Sequence, residues 1–214
     1  DMPAHTAGGV AYVGIWNESD MAFYSPALVY YDNLGNFAPL IAEAASHELG
    51  HNLGLSHDGT ASREYYAGHG SGDTTWAPIM GNSYNRNVTQ WSRGDYTGAN
   101  NPQDDIAILG DQLGRTADDH GDSIGQATPL LVEQGAVLVS DPEIDPDNVY
   151  PDNKGVIETA ADVDVFWFRS HGGNVSLSVK PAWQAFERSS GRGANLDVRL
   201  ALLDETGTTL STID

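Results

Sequence analysis

His47, Glu48, His51 and His57 stand in one short run, His47-Glu48-Leu49-Gly50-His51-Asn52-Leu53-Gly54-Leu55-Ser56-His57-Asp58. Two histidines four apart on a helix lie one turn above each other and can grip the same ion. Three neutral imidazoles leave the fourth corner of a tetrahedral zinc open to water, the arrangement of a catalytic site. Glu48 is not needed as a ligand, and its carboxylate is placed to take a proton from that water. Gly54 can adopt a left-handed conformation, end the helix and turn the chain back so that His57 reaches the metal from a loop. A bare H-E-x-x-H arises by chance on ordinary amphipathic helices, but here the glycine and the third histidine follow in register. A structural zinc site is the better competitor. Such sites usually close all four positions with thiolates and imidazoles, and this chain has no cysteine.

Positioning these side chains requires a helix, predicted over residues 40–53. Ile41, Ala45, Leu49 and Leu53 recur every four residues as an apolar stripe able to face a core, with the metal-binding side chains on a neighbouring face. Pro39 falls just before the start, where its missing N–H costs little. Gly50, between the ligands, relieves crowding near the metal or a neighbouring strand. A second helix is predicted over residues 102–113: Asn101 as cap, Pro102 at the first position, Asp104 at the positive end and Gly114 as the stop. Its core-facing stripe would be Ile106, Leu109 and Leu113.

The histidine run resembles the metzincin zinc peptidases, whose pattern is H-E-x-x-H-x-x-G-x-x-H followed by a methionine turn. Asp58, directly after the third histidine, is similar to the adamalysin (reprolysin-like) branch. Ala77-Pro78-Ile79-Met80-Gly81 is similar to the methionine turn, and the resemblance implies Met80 beneath the zinc. Gly8-Gly9-Val10-Ala11-Tyr12-Val13-Gly14 resembles the strand along the substrate cleft, where an edge strand pairs with an extended peptide. Asp58 then anchors the loop after the third ligand, outside the reacting atoms. Tyr84 lies four residues past Met80, where branches with a tyrosine ligand place it two past, so it is not assigned to the metal. His5, His69, His120 and His171 have no metal-spaced partners and are read as surface or hydrogen-bonded residues.

The pattern changes near residue 117. Asp118-Asp119-His120-Gly121-Asp122-Ser123 reads as a polar linker, and beyond it short apolar runs alternate with turn residues: Ala136–Val139, Val156–Glu158, Val165–Phe168, Val175–Val179 and Leu196–Leu203. Asp204-Glu205-Thr206-Gly207 reads as a hairpin turn into Thr208–Ile213. These predict a small antiparallel β-sandwich. The part resembles the pre-peptidase C-terminal (PPC) domains of secreted bacterial peptidases, through Ala161-Asp162-Val163-Asp164-Val165-Phe166-Trp167-Phe168 and Leu196-Asp197-Val198-Arg199-Leu200. The fold class expected is an α+β zincin-like (metzincin) catalytic domain over 1–117, N-terminally incomplete, then an all-β sandwich over 118–214, C-terminally incomplete. Both resemblances stop short of a whole domain, so the chain is read as a fragment.

The 214 residues carry a formal net charge of -20 and a pI near 4.3, which disfavours nucleic acid and anionic membranes as partners. No stretch of about eighteen apolar residues offers a membrane span. The acidity leaves room for Ca2+ beside Zn2+; Asp141, Asp145, Asp147 and Asp152 are candidate oxygen ligands, with a solvated acidic loop as the plainer account. The resemblance implies a secreted zinc metalloendopeptidase acting on protein or peptide substrates, with oligomeric state open. Two rivals remain: a non-catalytic extracellular binding protein with a structural metal, and a zinc hydrolase acting on another bond.

Overall fold

The computed structural model describes residues 6–19, 21–24, 27–133, 136–137, 153–159, 161–179, 196 and 198–213. The contacts divide the chain into two compact units that part between Gly114 and Arg115. Helices and short two-stranded sheets alternate along it, an α+β composition.

In the first unit, β1 (Gly9–Val10) pairs antiparallel with β2 (Leu28–Val29), Gly9 opposite Val29 and Val10 opposite Leu28. A single helical turn, α1 (Met21–Tyr24), lies between them in sequence. The strand expected over 8–14 is therefore only two residues long. Beyond it the backbone is tied to the end of the long helix α2 (Ala38–Asn52): Gly14 N–H donates to the His51 carbonyl (2.8 Å), Trp16 N–H to that of Asn52 (3.0 Å).

Helix α2 starts two residues earlier than predicted, with Pro39 inside its first turn. It ends as Gly54 was expected to end it. Gly54 sits at φ +107°, its N–H donates to His51, and Leu55 N–H donates to Gly50 (2.9 Å each). This is the paired closure of a Schellman motif, and Leu55 just beyond it is fully buried. Burying that side chain contributes about 1.5–3 kcal/mol.

The expected apolar stripe is overturned. Ala45 is exposed and Leu49 is 46% exposed; of the stripe, only Leu53 is buried. The helix turns Glu43, Ala44, Glu48 and His51 inward instead. The inward polar groups have partners or close neighbours: the Ser83 hydroxyl donates to Glu43, and Glu48 abuts Gly9.

After α2, β3 (Trp76–Pro78) runs parallel to β4 (Val88–Gln90), with Trp76 opposite Val88. Helix α3 spans Asp105–Leu113, three residues shorter at its start than predicted. Its cap is Asp104, whose side chain accepts from Ala107 N–H (2.9 Å); Gly114 ends it at φ +85°. Ile106 and Leu113 are exposed, so the predicted stripe is again not the buried face. Asn101 is not the cap: it is buried and donates to Ser56 O and Asp58 Oδ1.

In the second unit, β5 (Thr128–Pro129) runs parallel to β8 (Phe166–Trp167), and β6 (Val132–Glu133) pairs antiparallel with β7 (Ala136–Val137). The hairpin after Leu200 matches its prediction: β9 (Leu200–Leu203) pairs with β10 (Thr209–Ile213) around Asp204, whose Oδ1 accepts from the N–H groups of Thr206 and Thr208. Residues 156–158 and 175–179 form no strand, and Val156, Val175 and Val179 are exposed. The run 118–123 is more than a linker. Asp118, Asp119 and Asp122 each accept a backbone N–H, and His120 is buried, with Nδ1 hydrogen-bonded to Thr128 Oγ1 and Nε2–H donating to the Lys154 carbonyl. Asp141, Asp145, Asp147, Asp152 and His5 lie outside the described residues. Among the described residues no helix is long and apolar enough to cross a membrane.

Candidate metal centre

His47 and His51 leave α2 one turn apart, and the Schellman turn sends the chain back so that His57 meets them. One ring nitrogen from each lies within 4.8 Å of the others. The orientation comes from the other nitrogen. His47 Nδ1–H donates to the Ile79 carbonyl, His51 Nδ1–H to the Leu55 carbonyl and His57 Nδ1–H to Glu64 Oε1, each at 2.8 Å. All three acceptors lack hydrogen, so Nδ1 carries a proton in each ring, and in the neutral form of each ring Nε2 is the nitrogen with the lone pair.

The three Nε2 atoms gather on one side of this frame. His51 Nε2 and His57 Nε2 are 3.0 Å apart, a distance that either one shared proton or one bound cation accommodates. Zn–N bonds of 2.0–2.1 Å in a tetrahedron put ligand nitrogens about 3.3 Å apart, close to this spacing. Burial pushes His47 down to about 4, against the raising effect of the Ile79 bond, and the neighbouring His51 and His57 push it further down. His51 is lowered chiefly by burial as well. Neutral imidazoles at neutral pH are what a metal needs, so the donor set fits zinc.

Met80, in the turn after β3, is fully buried. A Cβ on Gly50 would meet the Met80 sulfur at 2.6 Å, which explains why a residue without a side chain stands between the two helical ligands. The Met80 carbonyl accepts from Asp58 N–H (2.9 Å), while the preceding carbonyl, of Ile79, holds His47. Asp58 is fully buried; its backbone carbonyl accepts from Tyr66 N–H (2.7 Å) and its Oδ1 from Asn101 (3.3 Å). Its Oδ2 has no hydrogen-bond partner among the described residues, and burial pushes its carboxyl up to about 6.

Glu48 is buried beside β1, so close that a Cβ on Gly9 would come within 2.6 Å of its Cγ and Oε1. Burial raises its carboxyl to about 7. Tyr84 is not among the rings in contact with the histidines; its hydroxyl packs against Gly8. His69 pairs instead with Tyr66, at 3.0 Å, and lines a depression of about 280 Å³ with Trp76, Gln90 and Asp95, none of them a ligand candidate.

The sequence reading missed two residues here, Glu64 and Tyr65. Glu64 holds the third histidine, and the Tyr65 ring lies over it with centroids 4.3 Å apart. An acidic residue seven positions past a ligand carries no spacing signal, because the loop between them decides whether the two meet.

A family model described as metallo-peptidase family M12B, reprolysin-like, matches residues 1–58, that is 58 of the 214 residues, and so takes in all three histidines and ends on Asp58. No curated protein and no solved structure matches the chain. The match and the three-imidazole site together support a zinc metallopeptidase.

Proposed function

We propose that the chain is a secreted zinc-dependent metalloendopeptidase of the metzincin type, with His47, His51 and His57 as ligands and Glu48 as general base. The observation that carries the reading is the convergence of His47, His51 and His57, one ring nitrogen of each within 4.8 Å of the others, with all three Nδ1 atoms already hydrogen-bonded and a carboxylate on the adjacent helical position. When bound, zinc acidifies a water and polarises the scissile carbonyl. Glu48 accepts the proton released as water attacks and returns it to the leaving amine. An extended peptide lies along the β1 segment, whose glycine brings backbone rather than side chain against Glu48. Asp58 fixes the loop carrying His57 by tying it to the methionine turn. The substrates are proteins or peptides, with no part for nucleic acid or membrane. The first unit is the catalytic domain, and the stretch from 118 onward a PPC-like β-sandwich accessory.

Glu48→Gln tests this directly. Zinc content is expected to stay at one per chain while cleavage of an unfolded protein substrate falls by about 10²–10⁴-fold. Unchanged cleavage would remove the mechanism. Zinc binding without cleavage by the unsubstituted chain would favour the binding-protein reading.

A further inference from the structure

We infer that Glu64 is a positioning residue for the third ligand, and that through His57 its carboxylate sets how tightly the trio holds zinc. The inference rests on the zinc reading above.

The three ligands are not held alike. His47 and His51 stand on a 15-residue helix, and their Nδ1–H groups donate to main-chain carbonyls. His57 lies beyond the helix, in the stretch 55–59 that is neither helix nor strand, and its Nδ1–H donates to a carboxylate. Of the three acceptors, Glu64 alone carries a charge. A carboxylate accepting from a ligating imidazole fixes the ring's tautomer and rotation and makes the opposite nitrogen a stronger donor. It also supplies a negative charge to a ligand set that is otherwise neutral.

The loop between the two residues is built to deliver this contact. Thr60 and Arg63 exchange backbone bonds (2.8 and 3.2 Å), turning the chain back on itself. Thr60 also bridges to Ala99, and Asn100 Oδ1 accepts from Gly59 N–H at 3.0 Å. Gly59 packs so tightly under the turn that a Cβ there would meet the Arg63 and Glu64 carbonyls at 2.4 and 2.3 Å. The Tyr66–Asp58 bond closes the loop at its far end. Glu64 is thus presented by a fixed backbone, although its side chain is 67% exposed. An exposed contact of this kind adds little to folding by itself. Its effect is expected on the metal rather than on the fold.

The test compares the full chain with Glu64→Gln and Glu64→Ala, using zinc alone as the probe. Zinc affinity is measured by chelator competition, thermal unfolding on the metal-free proteins, and peptide cleavage at saturating zinc. Glu64→Ala is expected to weaken zinc binding about 10–100-fold. Glu64→Gln, which keeps an acceptor but loses the charge, is expected to fall between it and the parent. Metal-free unfolding temperatures should coincide. An alanine variant with the parent's zinc affinity overturns the inference, as does a metal-free unfolding temperature that drops in step with affinity. A parent chain that binds zinc but cleaves nothing would remove the peptidase reading while the affinity ratio still decides for or against Glu64. A parent that binds no zinc overturns both.

Discussion

Two places in this molecule gather metal-type side chains, and they are built in opposite ways. At the histidine trio, backbone carbonyls and one carboxylate hold the Nδ1–H groups, and the ligand nitrogens are left to face one another. At the acidic corner of the second unit, Asp118, Asp119, Glu158, Asp162 and Asp164 also come within ligand distance in two groups. There the traffic is reversed. Asp118 accepts from His120 N–H, Asp119 from Val156 N–H and Asp162 from Glu158 N–H, so side-chain oxygens hold the backbone. Asp164 is pushed up to about 6, by burial first and then by Asp119 and Asp162, and Glu158 is raised as well, again by burial first. Ligand type and proximity alone do not tell the two places apart. The difference lies in orientation: at the trio the bonds to Nδ1 fix three rings around one cluster of nitrogens, whereas at the acidic corner some oxygens brace the backbone and others, Glu158 Oε1 and Oε2 and Asp164 Oδ1, are buried without a hydrogen-bond partner among the described residues.

The largest effect expected from this contrast is on zinc itself. His51→Ala should abolish stoichiometric zinc binding, whereas Asp118→Asn should leave one zinc per chain by elemental analysis. Zinc lost from the acidic-corner variant would break the comparison. Next in size is the frame around the trio. Leu55→Ala removes a fully buried side chain at the Schellman turn and should lower stability by about 3–5 kcal/mol in urea unfolding, with loss of zinc affinity alongside. A cost below about 1 kcal/mol would mean that the turn is not anchored by packing.

The smallest effect concerns charge at the acidic corner. The Asp164 carboxyl keeps its proton to about pH 6 when folded but only to its ordinary 3.8 when unfolded. Between those values the folded state binds more protons, so this group's contribution falls as pH rises through the window. Asp164→Asn should therefore gain stability relative to the parent as pH rises from 4 to 7. The gain should stay under about 1 kcal/mol, because the side chain is partly exposed and solvent screens it. A difference that does not change with pH would show that Asp164 does not titrate in this range.

Much of the centre was legible in the sequence, because its geometry is local. The i, i+4 pair depends only on a helix, and Gly54 signals the turn that brings His57 back. Gly50 was readable as a place with no room, though only the fold names the Met80 sulfur as the reason. What failed was any inference requiring knowledge of the neighbour. The Ile41–Ala45–Leu49 stripe has helical period, yet α2 buries Glu43 and Glu48 because Ser83 and Gly9 come from distant segments to receive them. Asn101 has the chemistry of a helix cap, but Asp58 claims its amide and Asp104 caps instead. At Val175–Val179, alternation predicted a strand where the described residues provide no paired neighbour, and alternation alone cannot supply one.

The oxygens that orient two of the three histidines belong to the peptide groups of Leu55 and Ile79. No point substitution deletes a peptide oxygen; it can only move one by disturbing the path of the chain. Those two ligands are thereby insulated against drift in the identities of the residues that hold them. The third depends on a side chain that a single codon change can take away, so weakened metal retention has a genetically short route at position 64 and longer ones at 55 and 79.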